Sequence, residues 1–328
     1  MRSEAELIRY LQQRFPAGGG VQVGIGDDAA VLAGDPRRDW VVTTDFLIES
    51  VHFVRGAQPA RAVGWKALAR SLSDIAAMGA RPRYTLLALA VPVSTPTRWV
   101  KEFFAGVNAL ARRYQVRLVG GDLSSAPQII VDVQVVGDVE KGRAVRRRGA
   151  RPGETIWVSG TLGMSHLGLA ALRHRLIPGR AMVQRAVRTH LYPQPRLRLA
   201  EWLGRRAGVS AMIDVSDGLS TDLAHLCQAS RVGARIFAAR VPVVKLPPSL
   251  EERLGTSGWE LALDGGEDYE LLFTLPRPRA ARLPPKFAGV KLTAIGEITP
   301  HESGLTVVDS EGRERTLVPR GWDHFRRR

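Results

Sequence analysis

The sequence predicts an α/β or α+β fold built from two domains. Short β-like runs alternate with longer helical ones along the 328 residues, a mixture typical of layered α/β architectures. Hydrophobic residues make up 45% and charged residues 24%, which is ordinary globular composition and argues against disorder. Turn-forming residues are concentrated between Arg148 and Glu154, just before a new strand. We therefore expect a first domain at 1–148 and a second at 149–328.

Seven strands are predicted from short runs rich in β-branched and aromatic residues. They are 40–44, 84–91, 129–136, 155–159, 211–214, 269–275 and 292–298. Seven helices are predicted where apolar residues recur at three- and four-residue intervals. They are 4–14, 60–78, 96–114, 165–176, 180–190, 196–206 and 218–230.

The first residues and the single cysteine indicate a cytoplasmic protein. Ser3 to Glu6 form a capping-box pattern that begins an amphipathic helix, unlike the basic and then apolar start of a signal peptide. The most apolar stretch, 86–93, is too short to cross a bilayer. Cys227 lies in a helical pattern, where a small buried hydrophobic residue is favoured over a nucleophile. We expect a soluble protein of a reducing compartment without a membrane partner.

The net charge of +15 allows two interpretations. A basic surface attracts nucleic acid by releasing counterions, but arginines spread over a solvated surface give the same total. Apart from 146–148 and 326–328, the arginines are dispersed. Aromatic residues make up only 6%, and none alternate with basic clusters as stacking platforms would. We therefore favour the dispersed surface and expect no nucleic-acid partner.

Aspartates recur at strand ends and at glycine-rich turns. They are Asp27, Asp28, Asp45, Asp74, Asp122, Asp214 and Asp217. Carboxylates that converge within ~4 Å repel by roughly 4 kcal/mol at an effective dielectric constant near 20, and Mg²⁺ is the cation that such oxygen ligands suit. Taken singly, a role as a turn or helix-capping residue is favoured for each aspartate. Asp74 differs, because it lies close to the apolar face of the predicted helix 60–78, where an unpaired carboxylate is costly.

The common nucleotide-binding signatures are absent from the sequence. There is no Gly-x-x-x-x-Gly-Lys-Ser/Thr loop and no His-Arg-Asp catalytic loop. Residues 24–29 fit the loose Gly-x-Gly-x-x-Ala pattern of dinucleotide sites. However, Asp27 and Asp28 would face the pyrophosphate and repel it, so we reject that interpretation.

Seven motifs occur in the order typical of one enzyme family. They are Gly24-Ile25-Gly26-Asp27-Asp28-Ala29-Ala30, Thr43-Thr44-Asp45 with His52-Phe53, Leu72-Ser73-Asp74-Ile75-Ala76-Ala77-Met78-Gly79-Ala80, Gly120-Gly121-Asp122, Ile213-Asp214-Val215-Ser216-Asp217-Gly218-Leu219, Gly265-Gly266-Glu267-Asp268-Tyr269-Glu270 and Gly321-Trp322-Asp323-His324-Phe325. From residue 24 to residue 325 the chain resembles the thiamine-monophosphate kinases. The wider superfamily includes aminoimidazole-ribonucleotide synthetase, selenophosphate synthetase and the hydrogenase-maturation dehydratases.

The resemblance implies a fold, an activity and a set of site residues. The fold is that of aminoimidazole-ribonucleotide synthetase, with two α/β domains and a first-domain sheet that pairs with a partner's in a dimer barrel. ATP and several Mg²⁺ ions would lie where the domains meet. The implied metal ligands are Asp28, Thr43, Thr44, Asp45, Asp74, Asp122, Asp214 and Asp217. The implied nucleotide contacts are Gly121, Asp122, Arg147 and Ser216, and the implied thiamine-monophosphate contacts are His52, Glu267 and Trp322. Asp45, Asp122 and Arg147 would carry catalysis.

Two departures from the family pattern bear on these roles. A one-residue length change between Asp122 and Arg147 leaves Arg146 and Arg148 as alternatives for the phosphate contact. In the final motif the aromatic residue after Gly321 is Trp322 rather than a tyrosine, which still allows stacking on a cationic thiazolium.

The implied reaction is direct in-line transfer of the ATP γ-phosphoryl group to a phosphate acceptor. The second pKa of a phosphate monoester is near ~6, so the acceptor is already largely dianionic and needs no general base. Catalysis then rests on positioning and on positive charge. The rival interpretations are another ATP-dependent enzyme of the superfamily, a basic nucleic-acid-binding protein and a catalytically inactive paralogue.

Overall fold

The chain forms two β-sheets with helices packed against them, which confirms the mixed α/β fold. A computed structural model describes residues 8–9, 12–13, 20–174 and 181–325. The predicted helix 4–14 lies largely outside the described residues, although Ile8, Arg9, Gln12 and Gln13 are helical. One sheet is built from residues 21–140 and the other from residues 155–316. The boundary at residue 148 falls between the sheets and stays a prediction.

The first sheet has six strands in the order β1-β2-β3-β6-β4-β5. They are β1 Val21–Val23, β2 Ala30–Ala33, β3 Arg38–Ile48, β4 Arg81–Val91, β5 Arg117–Ser125 and β6 Ile130–Glu140. β4 and β5 are parallel, and the other pairs are antiparallel. Two helices, α1 Ala60–Ala77 and α2 Thr97–Tyr114, belong to the same part of the chain and contribute to the core beside the sheet.

Alternation along β3 explains why one face of this sheet is buried. Val41 and Leu47 belong to the buried core, whereas Trp40 and Phe46 are exposed. Successive side chains of a strand point to opposite faces, so Thr43 and Asp45 share the inner face with the core residues. This register places two polar side chains next to α1.

The second sheet has eight strands, ordered β14-β13-β9-β12-β7-β10-β8, with β11 paired to β12. They are β7 Thr155–Ser159, β8 Ala211–Val215, β9 Gly233–Phe237, β10 Glu270–Leu275, β11 Lys286–Phe287, β12 Val290–Thr299, β13 Leu305–Val308 and β14 Glu314–Thr316. Its helices are α3 Met164–Arg173, α4 Ala181–Leu191, α5 Leu197–Trp202, α6 Leu219–Ser230, α7 Pro248–Leu254, α8 Gly258–Asp264 and α9 Arg277–Ala280. β8 and β10 are buried along their whole lengths, although β8 is the last strand of the sheet.

The structure departs from the predicted elements where the sequence signal is weak. The predicted helix 196–206 ends as an α-helix at Trp202 and continues as a π-helical turn, Leu203–Ala207. The strands that were not predicted are short, except β5, in which Gly120 and Gly121 interrupt the apolar residues. Cys227 is buried, and burial raises the pKa of its thiol to about 12, which confirms the small-hydrophobe interpretation. Among the described helices, none is both long and apolar enough to cross a membrane.

Candidate active site

A cavity of about 610 Å³ is lined by residues from both halves of the chain. Its wall from the first half comes from the loop after β1, β3, the loop that follows β3, and α1. Its wall from the second half comes from α3, from β8 with the loop that follows it, and from the loop before β10. Residues 320–324, near the end of the chain, complete it. The residues that line it include Asp28, Thr43, Thr44, Asp45, His52, Arg70, Asp74, Arg147, Asp214, Ser216, Asp217, Glu267, Tyr269 and Trp322.

Three predicted metal ligands converge at one end of this cavity. Asp28, Asp74 and Asp214 each offer a carboxylate oxygen, and these oxygens lie within 4.8 Å of one another. The three side chains come from the loop after β1, from α1 and from β8, so the cluster joins both sheets. Thr43 Oγ1 donates to Asp74 at 2.6 Å, and Ser73 Oγ donates to Asp214 at 2.6 Å. We call Asp28, Asp74 and Asp214 the aspartate cluster.

Burial and mutual repulsion weaken ionisation in the aspartate cluster. Burial, together with the neighbouring carboxylates Asp45, Asp214 and Asp28, raises the pKa of Asp74 well above its ordinary value. The same causes raise the pKa of Asp214 to about 8, although Ser73 and Arg147 oppose the shift. A hard divalent cation offsets such repulsion, and carboxylates with a nearby threonine hydroxyl are the oxygen ligands that it takes. The donor set therefore fits Mg²⁺.

Arg147 is the arginine of the 146–148 run that lines the cavity. Its guanidinium donates to both carboxylate oxygens of Asp28, at 3.1 and 2.8 Å. Its backbone N–H donates to Asp27, and its carbonyl accepts from Ser230 Oγ at 2.9 Å. Asp27 and Ser230 thus fix the backbone of Arg147, and Asp28 fixes its guanidinium beside the aspartate cluster. This position favours Arg147 over its two neighbours for a phosphate contact, a role that stays a prediction.

Ser216 and Asp217 lie in a loop held by close backbone contacts. Asp222 accepts hydrogen bonds from the backbone N–H groups of Ser216, Asp217 and Gly218 at 3.0 to 3.1 Å. A Cβ atom at Gly266 would lie 2.4 Å from the Ser216 carbonyl oxygen, and one at Gly321 would lie 2.2 Å from that of Asp217. Only glycine permits these approaches. Gly266 and Gly321 therefore allow their segments to pack closely against the loop that carries Ser216 and Asp217.

The three predicted substrate contacts lie at the other end of the cavity. His52 and Trp322 each pack their rings against His324, with centroid distances of 5.1 and 5.4 Å. His52 Nδ1 accepts from the backbone N–H of Ile48 at 3.0 Å, and burial lowers the pKa of His52 to about 3, so the ring is neutral. The structure therefore brings His52, Trp322 and Glu267 to one cavity.

Glu267 is paired with a fully buried lysine. Lys66 Nζ lies 2.5 Å from Glu267 Oε1, and His190 Nδ1 lies 3.4 Å from Glu267 Oε2. Burial opposes ionisation of Glu267, but Lys66 and His190 outweigh it and lower its pKa to about 2. Glu267 has a φ of 72° and Tyr269 a φ of 50°, values uncommon for residues with a Cβ atom. Backbone strain of this kind is often found at functional sites.

Two predicted site residues lie away from this cavity. Gly121 and Asp122 are on β5, the exposed edge strand of the first sheet, where Asp122 pairs in register with Ala88 of β4. Their predicted nucleotide, metal and catalytic roles stay predictions. Thr44 lines the cavity, but its hydroxyl donates to Asp132 at 2.5 Å.

Sequence reasoning missed Lys66 and Arg70, which both contribute to the site. Lys66 pairs with Glu267, and Arg70 Nη2 lies 3.3 Å from Asp45 Oδ1. The sequence contained the signal, because Lys66, Arg70 and Asp74 follow one another at four-residue intervals and so share one face of the helix. The argument that singled out Asp74 applies equally to them.

Comparison with known proteins places this chain in a family. The AIR synthase related protein N-terminal domain matches residues 26–139, and its C-terminal domain matches residues 151–308. The chain is 37% identical over 322 residues to thiamine-monophosphate kinase of Escherichia coli (strain K12), covering 97% of each protein. It is 33% identical over 330 residues to the Bacillus subtilis (strain 168) enzyme, covering 98% of this chain and 99% of that relative.

The chain belongs to the thiamine-monophosphate kinase family. Its structure is also similar to AaThiL complexed with AMPPCP and TMP, with a TM-score of 0.86 and 34% identity over 98% of this chain and 97% of that chain. Membership of the thiamine-monophosphate kinase family confirms the resemblance and the two-domain fold class inferred from the motifs. The role of each individual site residue stays a prediction.

Proposed function

We propose that this protein transfers the γ-phosphoryl group of ATP to thiamine monophosphate, giving thiamine diphosphate and ADP. The observation that carries the proposal is the shared cavity. It joins the aspartate cluster to the group formed by His52, Glu267 and Trp322. Relatives with this activity in their names match along nearly the whole chain, and one neighbour was solved with the ATP analogue AMPPCP and with TMP.

The two ends of the cavity suit the two reactants. A cation at the aspartate cluster would supply positive charge to the transferring phosphoryl group. Asp28, Asp74 and Asp214 would hold it, with Thr43, Thr44, Asp45 and Asp217 as further ligands. Arg147 and Ser216 would contact the nucleotide. At the other end, the Glu267 carboxylate and the Trp322 ring suit the cationic thiazolium.

The chain's own residues position the reactants and exclude water. The acceptor phosphate is largely dianionic near neutral pH, so it attacks without a general base. The neutral His52 ring agrees with this scheme, because its low pKa makes it a poor proton acceptor at pH 7. Holding two polyanions in line is the main task, and the rigid strand and helix positions of Asp214 and Asp74 serve it.

We further propose that the protein is a homodimer formed through the first sheet. The outer face of this sheet exposes Trp40, Phe46, Tyr84 and Leu86, and Phe46 is 56% exposed. β5 is an exposed edge strand that carries Leu123, which is 69% exposed. A monomer rarely leaves an apolar sheet face and an open edge together. Light scattering should give twice the chain mass of 35.9 kDa, and Phe46→Glu should give the monomer.

A product assay tests the proposed function. Purified protein is incubated with ATP, Mg²⁺ and either thiamine monophosphate or thiamine, and the products are separated by chromatography. We expect thiamine diphosphate from the monophosphate only, and none after EDTA replaces Mg²⁺. ATP hydrolysis without formation of thiamine diphosphate would agree with an ATP-dependent enzyme of the superfamily but would reject thiamine monophosphate as its acceptor. A cytoplasmic location belongs to the same proposal and is tested by cell fractionation.

A further inference from the structure

Helix α1 presents three charged residues to the site at successive helical turns. Lys66, Arg70 and Asp74 are spaced by four residues, so their side chains lie on one face of the helix. Lys66 contacts Glu267 at the substrate end, and Asp74 belongs to the aspartate cluster at the other end. Arg70 therefore lies between the two ends of the cavity, and its side chain lines it.

The three charged side chains differ in the hydrogen bonds and ion pairs that the protein gives them. Lys66 Nζ is 2.5 Å from Glu267, and Asp74 accepts from Thr43 at 2.6 Å. Arg70 donates one hydrogen bond within the described residues, to Asp45 at 3.3 Å. Charge-assisted hydrogen bonds are usually about 2.7–2.9 Å long, so this contact is weak. A guanidinium has five N–H donors, and one long contact leaves most of its capacity available.

Arg147 provides the contrast within the same cavity. Its guanidinium is engaged by both oxygens of Asp28, at 3.1 and 2.8 Å. Arg70 has no such bidentate partner among the described residues, although its side chain is only 15% exposed. A largely buried arginine with spare donors, at the boundary between two binding regions, suits an anion that arrives with a ligand.

We infer that Arg70 binds the phosphate group of the acceptor and so selects phosphorylated thiamine over thiamine. This inference rests on the proposed function. With the heterocycles at His52 and Trp322 and the γ-phosphoryl group at the aspartate cluster, the acceptor phosphate must lie between them, beside Arg70. A site built to bind a charged group rejects the analogue that lacks it, because its own polar group is then left without a partner.

A purely structural role for Arg70 makes a different prediction. If Arg70 only neutralised Asp45, its replacement would alter the metal end and would weaken thiamine and thiamine monophosphate equally. A phosphate contact instead changes the affinity for the monophosphate alone. Comparing the two ligands therefore separates the interpretations, and the Michaelis constant for ATP reports any disturbance at the metal end.

Three variants test the inference. Arg70→Gln removes the charge, Arg70→Lys keeps the charge without the planar fork, and Arg61→Gln is the matched control because Arg61 is exposed on the same helix. For Arg70→Gln we expect KM and the calorimetric Kd for thiamine monophosphate to rise about 10- to 100-fold. KM for ATP and Kd for thiamine should change by less than about twofold, because neither ligand places a phosphate beside Arg70 in this arrangement. Arg70→Lys should be intermediate, and Arg61→Gln should match the wild type.

The outcomes separate the inference from the proposed function. A wild-type protein that makes no thiamine diphosphate defeats the proposed function and, with it, this inference. An active wild type with an unchanged KM for thiamine monophosphate in both Arg70 variants overturns the inference alone. Equal weakening of thiamine and thiamine monophosphate also overturns it. If Arg70→Gln does not fold, the same readouts on Arg70→Lys decide between these outcomes.

Discussion

The two ends of the cavity hold buried carboxylates in opposite electrostatic settings. At one end, Asp28, Asp74 and Asp214 face one another, and burial with repulsion raises the pKa of Asp74 and Asp214. At the other end, Glu267 contacts Lys66 and His190, and its pKa falls to about 2 although it is buried. The protein supplies the cation for Glu267 from its own chain. At the aspartate cluster, Arg147 is the cation that pairs with Asp28 among the described residues, and it also opposes the pKa shift of Asp214. Asp74 and Asp214 otherwise receive hydroxyl hydrogen bonds from Thr43 and Ser73, so a cation from outside would offset the remaining repulsion.

This difference indicates how one cavity handles two anionic reactants. A carboxylate with an internal partner has a fixed charge and position, as recognition of a cationic ring requires. Carboxylates that repel one another bind a metal strongly, because the metal relieves a cost already present in the folded protein.

Replacing Asp74 by asparagine should have the largest effect. It removes one carboxylate from the aspartate cluster, and we expect kcat to fall by about 100- to 1,000-fold, as when other preorganised electrostatic groups are removed. The free energy of unfolding of the metal-free variant should rise, because one repelling carboxylate is gone. Steady-state kinetics and urea unfolding in EDTA measure the two effects. A variant with wild-type turnover at saturating Mg²⁺ would contradict the role of Asp74 as a metal ligand.

Replacing Lys66 by methionine should destabilise the fold. Glu267 would remain buried without its cation, and breaking a buried pair from one side costs about 3–5 kcal/mol. Urea unfolding measures the loss, with Arg61→Gln as the control. Adding Glu267→Gln should recover part of the stability, because the uncompensated charge is removed. Equal stability of Lys66→Met and the wild type would show that the pair is not a structural requirement.

The two ends should respond to pH in opposite directions. Asp214 titrates near 8 in the folded protein against an ordinary value of 3.8, so folding takes up protons and the metal-free protein loses stability as pH rises from about 4 to 8. Glu267 titrates near 2 against 4.5, so its contribution is present above pH 4.5 and is lost as pH falls towards 2.

Thermal unfolding between pH 3 and pH 9, with and without Mg²⁺, measures both effects. Mg²⁺ should flatten the decline at neutral pH, because it replaces the protons on the aspartate cluster, and it should leave the acid limb unchanged. A decline at neutral pH that persists in saturating Mg²⁺ would show that the aspartate cluster does not bind the cation.

Replacing Ser73 by alanine should have the smallest of these effects. Ser73 Oγ supports Asp214, and loss of a group that orients a metal ligand typically weakens metal affinity about 10-fold or more. Ser165→Ala is the matched control, because Ser165 Oγ lies 3.3 Å from His190 Nδ1 at the Glu267 end. Its Mg²⁺ affinity should equal that of the wild type. Equal losses in both variants would mean that the effect is general.

The sequence predicted the elements with strong hydrophobic patterns. β7 was predicted with its observed bounds, and α1 within one residue, because continuous or periodic apolar residues mark buried elements. β5 was missed because every residue in it is exposed and Gly120 and Gly121 interrupt it. The short helices α7 to α9 were missed because four to seven residues give too few turns for a periodicity.

The site was predictable where a residue's chemistry conflicted with its surroundings. Asp74 on an apolar helix face pointed to the aspartate cluster, and the motifs supplied Asp28 and Asp214. The partner of Glu267 was not predicted, because the contact with Lys66 joins residues 201 positions apart and depends on how the two halves pack. Asp122 was grouped with the other aspartates, but it lies on the exposed β5. The motifs show which residue types occur in which order, but they do not show that the strand carrying Asp122 lies at the edge of the sheet.

Calorimetric titration of Mg²⁺ into metal-free protein tests the comparison most directly. The wild type, Asp74→Asn and Lys66→Met are titrated in the same buffer, after circular dichroism has shown that each is folded. We predict Mg²⁺ binding by the wild type and by Lys66→Met, and its loss in Asp74→Asn. Wild-type protein that binds no Mg²⁺, or equal binding by Asp74→Asn, would contradict the account.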